Sequence, residues 1–202
     1  MRSQENDGPG KGITKERLET FSDGVFAVII TIMVLQLQVP PHPTFAALLQ
    51  EWPTILSYVV SYLFIAIVWI NHHFLLRFAN DSTPRLLLLN FVHMLAASLV
   101  PFATAWVAAS RIAAVPVFVY AAVLVTVNLS YHAFAHQVVH RHASDEAHKA
   151  MRHRALTRSL LSLGIFSIAM VVALIWPLIA FSLVTCVLLT YSRPEIPGAT
   201  LR

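Results

Sequence analysis

The sequence predicts an all-α integral membrane protein of six transmembrane helices with both termini cytoplasmic, and three observations carry that prediction. Of its 202 residues 57% are hydrophobic and 12% charged, with a mean hydropathy of +0.67. Soluble domains are roughly 25% charged, so this much apolar surface belongs in a bilayer. The chain also divides into six apolar runs, each near the roughly 20 residues a helix needs to cross the hydrocarbon core. Finally, every Lys and Arg except Arg111 lies in the N-terminal flank, the second-to-third connection, the fourth-to-fifth connection or the C-terminal tail. In a six-span chain those segments share one side, and basic residues collect on the cytoplasmic side.

The runs are Thr20 to Val39, Pro53 to Phe74, Leu86 to Ala108, Val115 to Phe134, Leu156 to Ile175 and Pro177 to Tyr191. Residues 1–14 have no apolar core behind a basic start, so they do not read as a signal peptide. Their Gly, Pro, Asn and Asp content reads as a disordered cytoplasmic tail. Residues 15–192 form one six-helix membrane domain, and 193–202 a cytoplasmic C-terminal tail. The first outer connection has no Lys or Arg from Pro40 to Trp52, and its Phe45 to Trp52 part reads as a short interfacial helix anchored by Trp52. Gln137 to Arg154 extends the fourth helix and returns through Ser144, a helix N-cap candidate. Only Trp176-Pro177 separates the last two runs; a tight hairpin and a kinked single helix both fit. The single cysteine, Cys186, excludes a disulfide framework within one chain. A net charge of +4 would admit nucleic acid, but the basic residues flank apolar segments and make no aromatic-interleaved patch, so no nucleic-acid partner is expected.

The first helix carries the most chemistry. Arg17, Ser22 and Asp23 form a polar cluster directly against an apolar run that also contains Thr31 and Gln36. An ionisable group at membrane depth is costly and normally faces protein or water. On an ideal helix Val28, Thr31, Leu35 and Gln38 share one face through steps of three, four and three, and Ser22 and Asp23 lie roughly 120–140° away from it. From the residues alone, the stripe is either ordinary helix packing or the lining of an axis. Likewise Ser22 or Asp23 either caps the helix start or anchors the helix to its neighbours.

Arg17-x-x-x-Phe21-Ser22-Asp23, followed by Ala27 and Thr31, resembles the R-x-x-x-F-S-D signature on the first helix of the endosomal and lysosomal potassium channel family. Trp69-Ile-Asn-His-His-Phe74 resembles the end of that family's second helix. The chain is similar to the family's prokaryotic members, which have one six-helix repeat. The resemblance implies a potassium-permeable cation channel that needs no cofactor, in a prokaryotic cell membrane. It also implies a homo-oligomer, tetrameric, with the first helix of each subunit lining a central pore. Val28 then takes the constricting apolar position, Thr31 the hydroxyl tied to cation preference, and Leu35 and Gln38 continue the lining. Arg17, Phe21, Ser22, Asp23, Trp69, His72 and His73 form a helix-packing network. Valine at 28 is smaller than the family's usual isoleucine or leucine, which moves the expected narrow point toward Leu35. No T-V-G-Y-G filter is present, so ring diameter, dewetting and the Thr31 hydroxyls would set selectivity.

Two other functions are weighed against this one. Asp23 and the histidines would serve a proton- or cation-coupled transporter. His72-His73 with His132, His136 and His140 at i, i+4 and i+8 would serve a histidine-metal oxidoreductase, but few carboxylates accompany them and no metal is expected. His140, His142, His148 and His153 sit among Arg and Lys, where solvated histidines are the simpler reading. Asn90, His93, Asn128 and Ser130 are intramembrane polar residues that would line a path or bond between helices. No G-x-S-x-G, H-E-x-x-H or phosphate-cradling glycine loop occurs, so no enzyme activity is expected.

Overall fold

A computed structural model describes residues 14–77, 79, 83–139 and 146–191. The expected tails apart from Thr14, the Ser144 cap, His140 and His142, and the side chains of His148 and His153 lie outside the described residues.

The described chain is all-helical. Thr14 caps the first helix, α1 (Lys15–Leu35), its Oγ1 accepting from the Arg17 amide. The helix therefore begins one turn before Thr20, and Ser22 and Asp23 sit within it rather than at its N-cap. It stops at Leu35, with Gln36 as C-cap. Pro40, Pro41 and Pro43 follow, and proline both lacks an amide donor and pushes the residue before it out of helical geometry. Gln38 consequently lies beyond the helix, exposed, and does not continue the helical stripe of Val28, Thr31 and Leu35.

A one-and-a-half-turn helix, α2 (Phe45–Gln50), is capped by Thr44 and leads into α3 (Trp52–Leu76). α4 (Pro84–Ser98) is capped by Thr83, and α5 (Val100–Ala109) continues it after a break at Leu99. Pro101 explains the break, because its missing amide leaves a carbonyl of the preceding turn without its helical partner. α6 (Ala114–Val139), α7 (Glu146–Val172) and α8 (Pro177–Tyr191) complete the set. α7 and α8 pack against each other across a turn at 173–176, so this pair is a hairpin and not a kinked rod.

Among the described residues four segments are long and apolar enough to cross a membrane: Lys15–Leu35, Trp52–Leu76, Pro84–Ala109 and Ala114–Val138. Two shorter apolar helices, Ser159–Val172 and Pro177–Thr190, accompany them. α6 is the hub, touching α3, α4, α5, α7 and α8, while α1 packs on α3, α4 and α5.

The core falls into two apolar clusters. The smaller contains Leu18, Leu75, Leu76, Leu86 and Phe134; the larger runs from Phe26, Ile29 and Met33 through Phe64, Tyr120 and Phe166. Between them in sequence on α1, α3, α4 and α6 come Ser22, His72, Asn90, His93 and Ser130, all buried. A polar layer therefore divides the two halves of the bundle.

Candidate functional site

The two faces of α1 differ. Leu18, Ser22, Phe26, Ile29 and Met33 recur at steps of three and four and are buried. Arg17, Phe21, Gly24, Ala27, Val28, Thr31 and Leu35 point the other way and are exposed, Val28 at 54% and Leu35 at 81%. Thr31 Oγ1 donates to the Val28 carbonyl at 2.9 Å. Its only proton is thus spent on its own helix, which leaves the oxygen lone pairs toward whatever lies outside.

On the inner face, Ser22 Oγ donates to the Leu18 carbonyl at 2.9 Å and accepts from Asn90 Nδ2 at 3.0 Å. Asn90 Oδ1 lies 2.7 Å from His72 Nε2. The His72 ring stacks on His93, 5.7 Å between centroids and 10° from parallel, and on Phe134 at 5.3 Å. Phe26 meets both imidazoles edge-on, at 5.4 Å and 6.4 Å. His93 Nδ1 lies 2.9 Å from Ser130 Oγ.

A second ladder joins α1 to α3 near the surface. Trp69 Nε1 donates to Asp23 Oδ1 at 2.8 Å, and His73 Nδ1 lies 2.9 Å from Glu19 Oε1. Glu19 and Asp23 are four apart on one helix, Trp69 and His73 four apart on the other, so the antiparallel helices meet rung by rung. Lys15 Nζ extends the contact by donating to the Arg77 carbonyl at 3.1 Å. Phe21 makes an edge-on contact with Phe91 at 5.4 Å, both half-exposed.

The structure thus brings together Ser22, Asp23, Trp69, His72 and His73, but it leaves Arg17 out. The Arg17 side chain is exposed and has no hydrogen bond or ion pair among the described residues. Six residues of helix separate it from Asp23, about 9 Å of rise and two-thirds of a turn beyond one full turn, so the two side chains diverge. Asn90, Glu19 and His93 are the members that sequence reasoning did not place in the network. The matched four-residue spacing of Glu19/Asp23 and Trp69/His73 was a usable signal for Glu19; Asn90 and His93 offered only a three-residue step within an apolar run.

His132 is engaged elsewhere. His132 Nε2 lies 2.8 Å from Ser159 Oγ, which also donates to Asn128 Oδ1 at 3.3 Å, fastening α6 to α7. Among the described residues no three His, Cys, Asp or Glu side chains converge as a metal site would require.

Fold and site define a helical membrane protein whose first helix is clamped along one face and bare along the other. The family model for the endosomal/lysosomal potassium channel TMEM175 matches residues 17–101, which hold both sequence blocks. A protein from Chryseobacterium sp. (strain P1-3) named a potassium channel is 31% identical over 183 residues, 91% of this chain and 95% of the relative. Another so named, from Streptomyces collinus, is 38% identical over 128 residues, 58% of this chain and 61% of its own length. The crystal structure of a lysosomal potassium-selective channel TMEM175 homolog from Chamaesiphon minutus superposes with a TM-score of 0.76 over 88% of this chain and 96% of that one. At 24% identity, that likeness speaks for the fold. The chain belongs to the endosomal/lysosomal potassium channel TMEM175 family.

Proposed function

We propose that this chain is a homo-oligomeric potassium-permeable channel, four copies arranged so that the bare face of each α1 lines one axis. The observation that carries the reading is the split of α1 into a clamped face and an exposed stripe, with Leu35 at 81% and Val28 at 54% exposed in a membrane helix otherwise held on three neighbours. Gly24 supports it. A helix-interior glycine costs roughly 1 kcal/mol relative to alanine, and a Cβ added there would meet nothing within 4 Å in this chain. Close approach by a second copy would account for its place.

Rings of Val28 and Leu35 form an apolar constriction that passes ions only when wetted, and Thr31 oxygens between them offer a dehydrating cation its acceptors. α7 and α8 serve as the fifth and sixth spans, and both termini are cytoplasmic, which places α2 and Arg111 on the outer side. The host is a prokaryotic cell membrane.

The test is ion flux into liposomes holding purified protein. Leu35→Ala should raise potassium flux by opening the ring, and Thr31→Ala should lower the preference for potassium over sodium. Passive flux that scales with gradient separates a channel from a coupled transporter, whose flux would saturate and need a proton gradient. No electrogenic flux in any form would refute the channel.

A further inference from the structure

Two hydrogen-bond chains enter the polar layer from opposite sides, and their end points fix their direction. Ser22 has one hydroxyl proton, and the Leu18 carbonyl at 2.9 Å takes it in preference to Asn90 Oδ1 at 3.3 Å. Ser22 therefore accepts from Asn90 Nδ2, which turns Asn90 Oδ1 toward His72. An amide oxygen only accepts, so His72 Nε2 carries the proton and donates. On the other side Ser130 Oγ donates to the Val127 carbonyl at 2.8 Å, so it accepts from His93 Nδ1.

A neutral imidazole has one N–H. With both committed outward, His72 Nδ1 and His93 Nε2 are left as bare lone pairs. Both atoms are buried, and neither has a partner among the described residues. Among the described residues the rings packed against them supply no donor: Phe134 stacks on His72, Phe26 meets both rings by its edge, and the Tyr131 ring, 5.9 Å from His93, bonds to neither nitrogen.

We propose that one water molecule bridges the edges of the stacked histidines and donates one O–H to His72 Nδ1 and the other to His93 Nε2. Buried polar atoms in native proteins are paired with protein or with ordered water. Water is the one-atom-sized partner that can satisfy two acceptors at once. The rings stack 5.7 Å apart between centroids and within 10° of parallel, so the planes that hold the two lone pairs run side by side, close enough for two donated bonds of about 2.8–3.0 Å to serve both. The site joins the two chains into a single one: Leu18 carbonyl, Ser22, Asn90, His72, water, His93, Ser130, Val127 carbonyl. That chain ties α1, α4, α3 and α6 together within each subunit. Its donors point away from the water at both ends and Asn90 cannot relay a proton, so it acts as a clamp and not as a proton wire. The inference stands whether or not the protein conducts.

The experiment is solid-state NMR of 15N-histidine-labelled protein in lipid bilayers at neutral pH. We expect the Nε2–H tautomer at His72, the Nδ1–H tautomer at His93, and magnetisation transfer from water to the two bare nitrogens. His72→Gln keeps a nitrogen donor at the Nε2 position but has no acceptor in place of Nδ1; His93→Asn likewise keeps the donor toward Ser130 alone. Each variant should abolish water transfer to the histidine that remains. The opposite tautomer at either ring, a doubly protonated ring, or no water transfer in the wild type overturns the site. Transfer that survives unchanged in both variants overturns the shared single water. If neither variant folds, the tautomers and the water transfer of the wild type still decide.

Discussion

Asn90→Ala tests whether the polar layer holds the first helix. Asn90 is fully buried and bonds to His72 Nε2 at 2.7 Å and to Ser22 Oγ at 3.0 Å. Truncation leaves the His72 N–H without an acceptor, whereas Ser22 keeps its bond to the Leu18 carbonyl. In a water-soluble core an orphaned buried donor costs about 1–3 kcal/mol. Between membrane helices the measured coupling is smaller, averaging about 0.6 and reaching about 1.7 kcal/mol per bond, because the chain unfolded in the membrane also finds partners. Two bonds on the membrane scale give about 1–3 kcal/mol, and the 2.7 Å distance to His72 argues for the upper half of that range. For chains of this size each kcal/mol moves Tm by about 2–4 °C, so a drop of several degrees is expected. Tryptophan fluorescence of purified protein during heating in detergent would read it. Ser22→Ala and the double variant complete a cycle in which the double loss is less than the sum, since the Asn90–Ser22 bond is counted in both singles. Thr126→Ala is the control, its exposed hydroxyl bonded only to the Ala122 carbonyl of its own helix. If Asn90→Ala melts together with Thr126→Ala, apolar contacts alone hold α1 and the clamp is wrong.

Phe26→Ala should cost more than any polar variant, about 3–5 kcal/mol, because the ring is buried against His72 and His93; the same melting series ranks it. Trp69→Phe removes the bond to Asp23 while keeping an aromatic ring beside His73. At that half-exposed position the loss should be about 0.5–1.5 kcal/mol, and a loss equal to that of Phe26→Ala would contradict it. Asp23→Ala should impair oligomer assembly or liposome flux, read by size-exclusion chromatography and by the flux assay; normal values in both would remove Asp23 from the network. Arg111→Gly should leave Tm unchanged or raise it. Arg111 has φ 53, and relieving a left-handed residue returns about 1–2 kcal/mol, which offsets its exposed 3.3 Å bond to the Gln50 carbonyl. A clear drop in Tm would show that this bond outweighs the backbone strain.

The helical membrane class and most helix positions were legible because apolar runs and their Pro and Thr punctuation are local properties. Thr14, Thr44 and Thr83 cap α1, α2 and α4 where the chain enters each helix, although the first cap lay outside the apolar run that drew attention to Thr20. Gln38 was misplaced because periodicity was continued into a segment that Pro40 and Pro41 prevent from being helical. The Ser22, Asp23, Trp69 and His72 positions were legible through motif resemblance. Their partners were not, because Asn90 and His93 acquire meaning only when α4 is laid against α1 and α3. Arg17 shows the other limit of a motif: within one chain it stands exposed, apart from the other members.

What the inner face of α1 does bears on what its outer face can do. An apolar seam tolerates sliding, since leucine against leucine is much the same one turn along. A polar layer does not. Shifting α1 by one turn, about 5.4 Å, would set Leu18 or Phe26 against Asn90 and carry Ser22 into one of the two apolar clusters that flank the layer. Each buried polar atom left without its partner would then cost about 1–3 kcal/mol, several times the difference between alternative apolar packings. The layer therefore fixes the height and rotation of α1. Val28, Thr31 and Leu35 lie on the same rigid helix one and a half to three and a half turns beyond Ser22, so it fixes their level too. If four copies meet at an axis, rings of these side chains can be flush only when every subunit places them at one height. The residues that fix this height are the buried ones on the face of α1 turned away from that stripe.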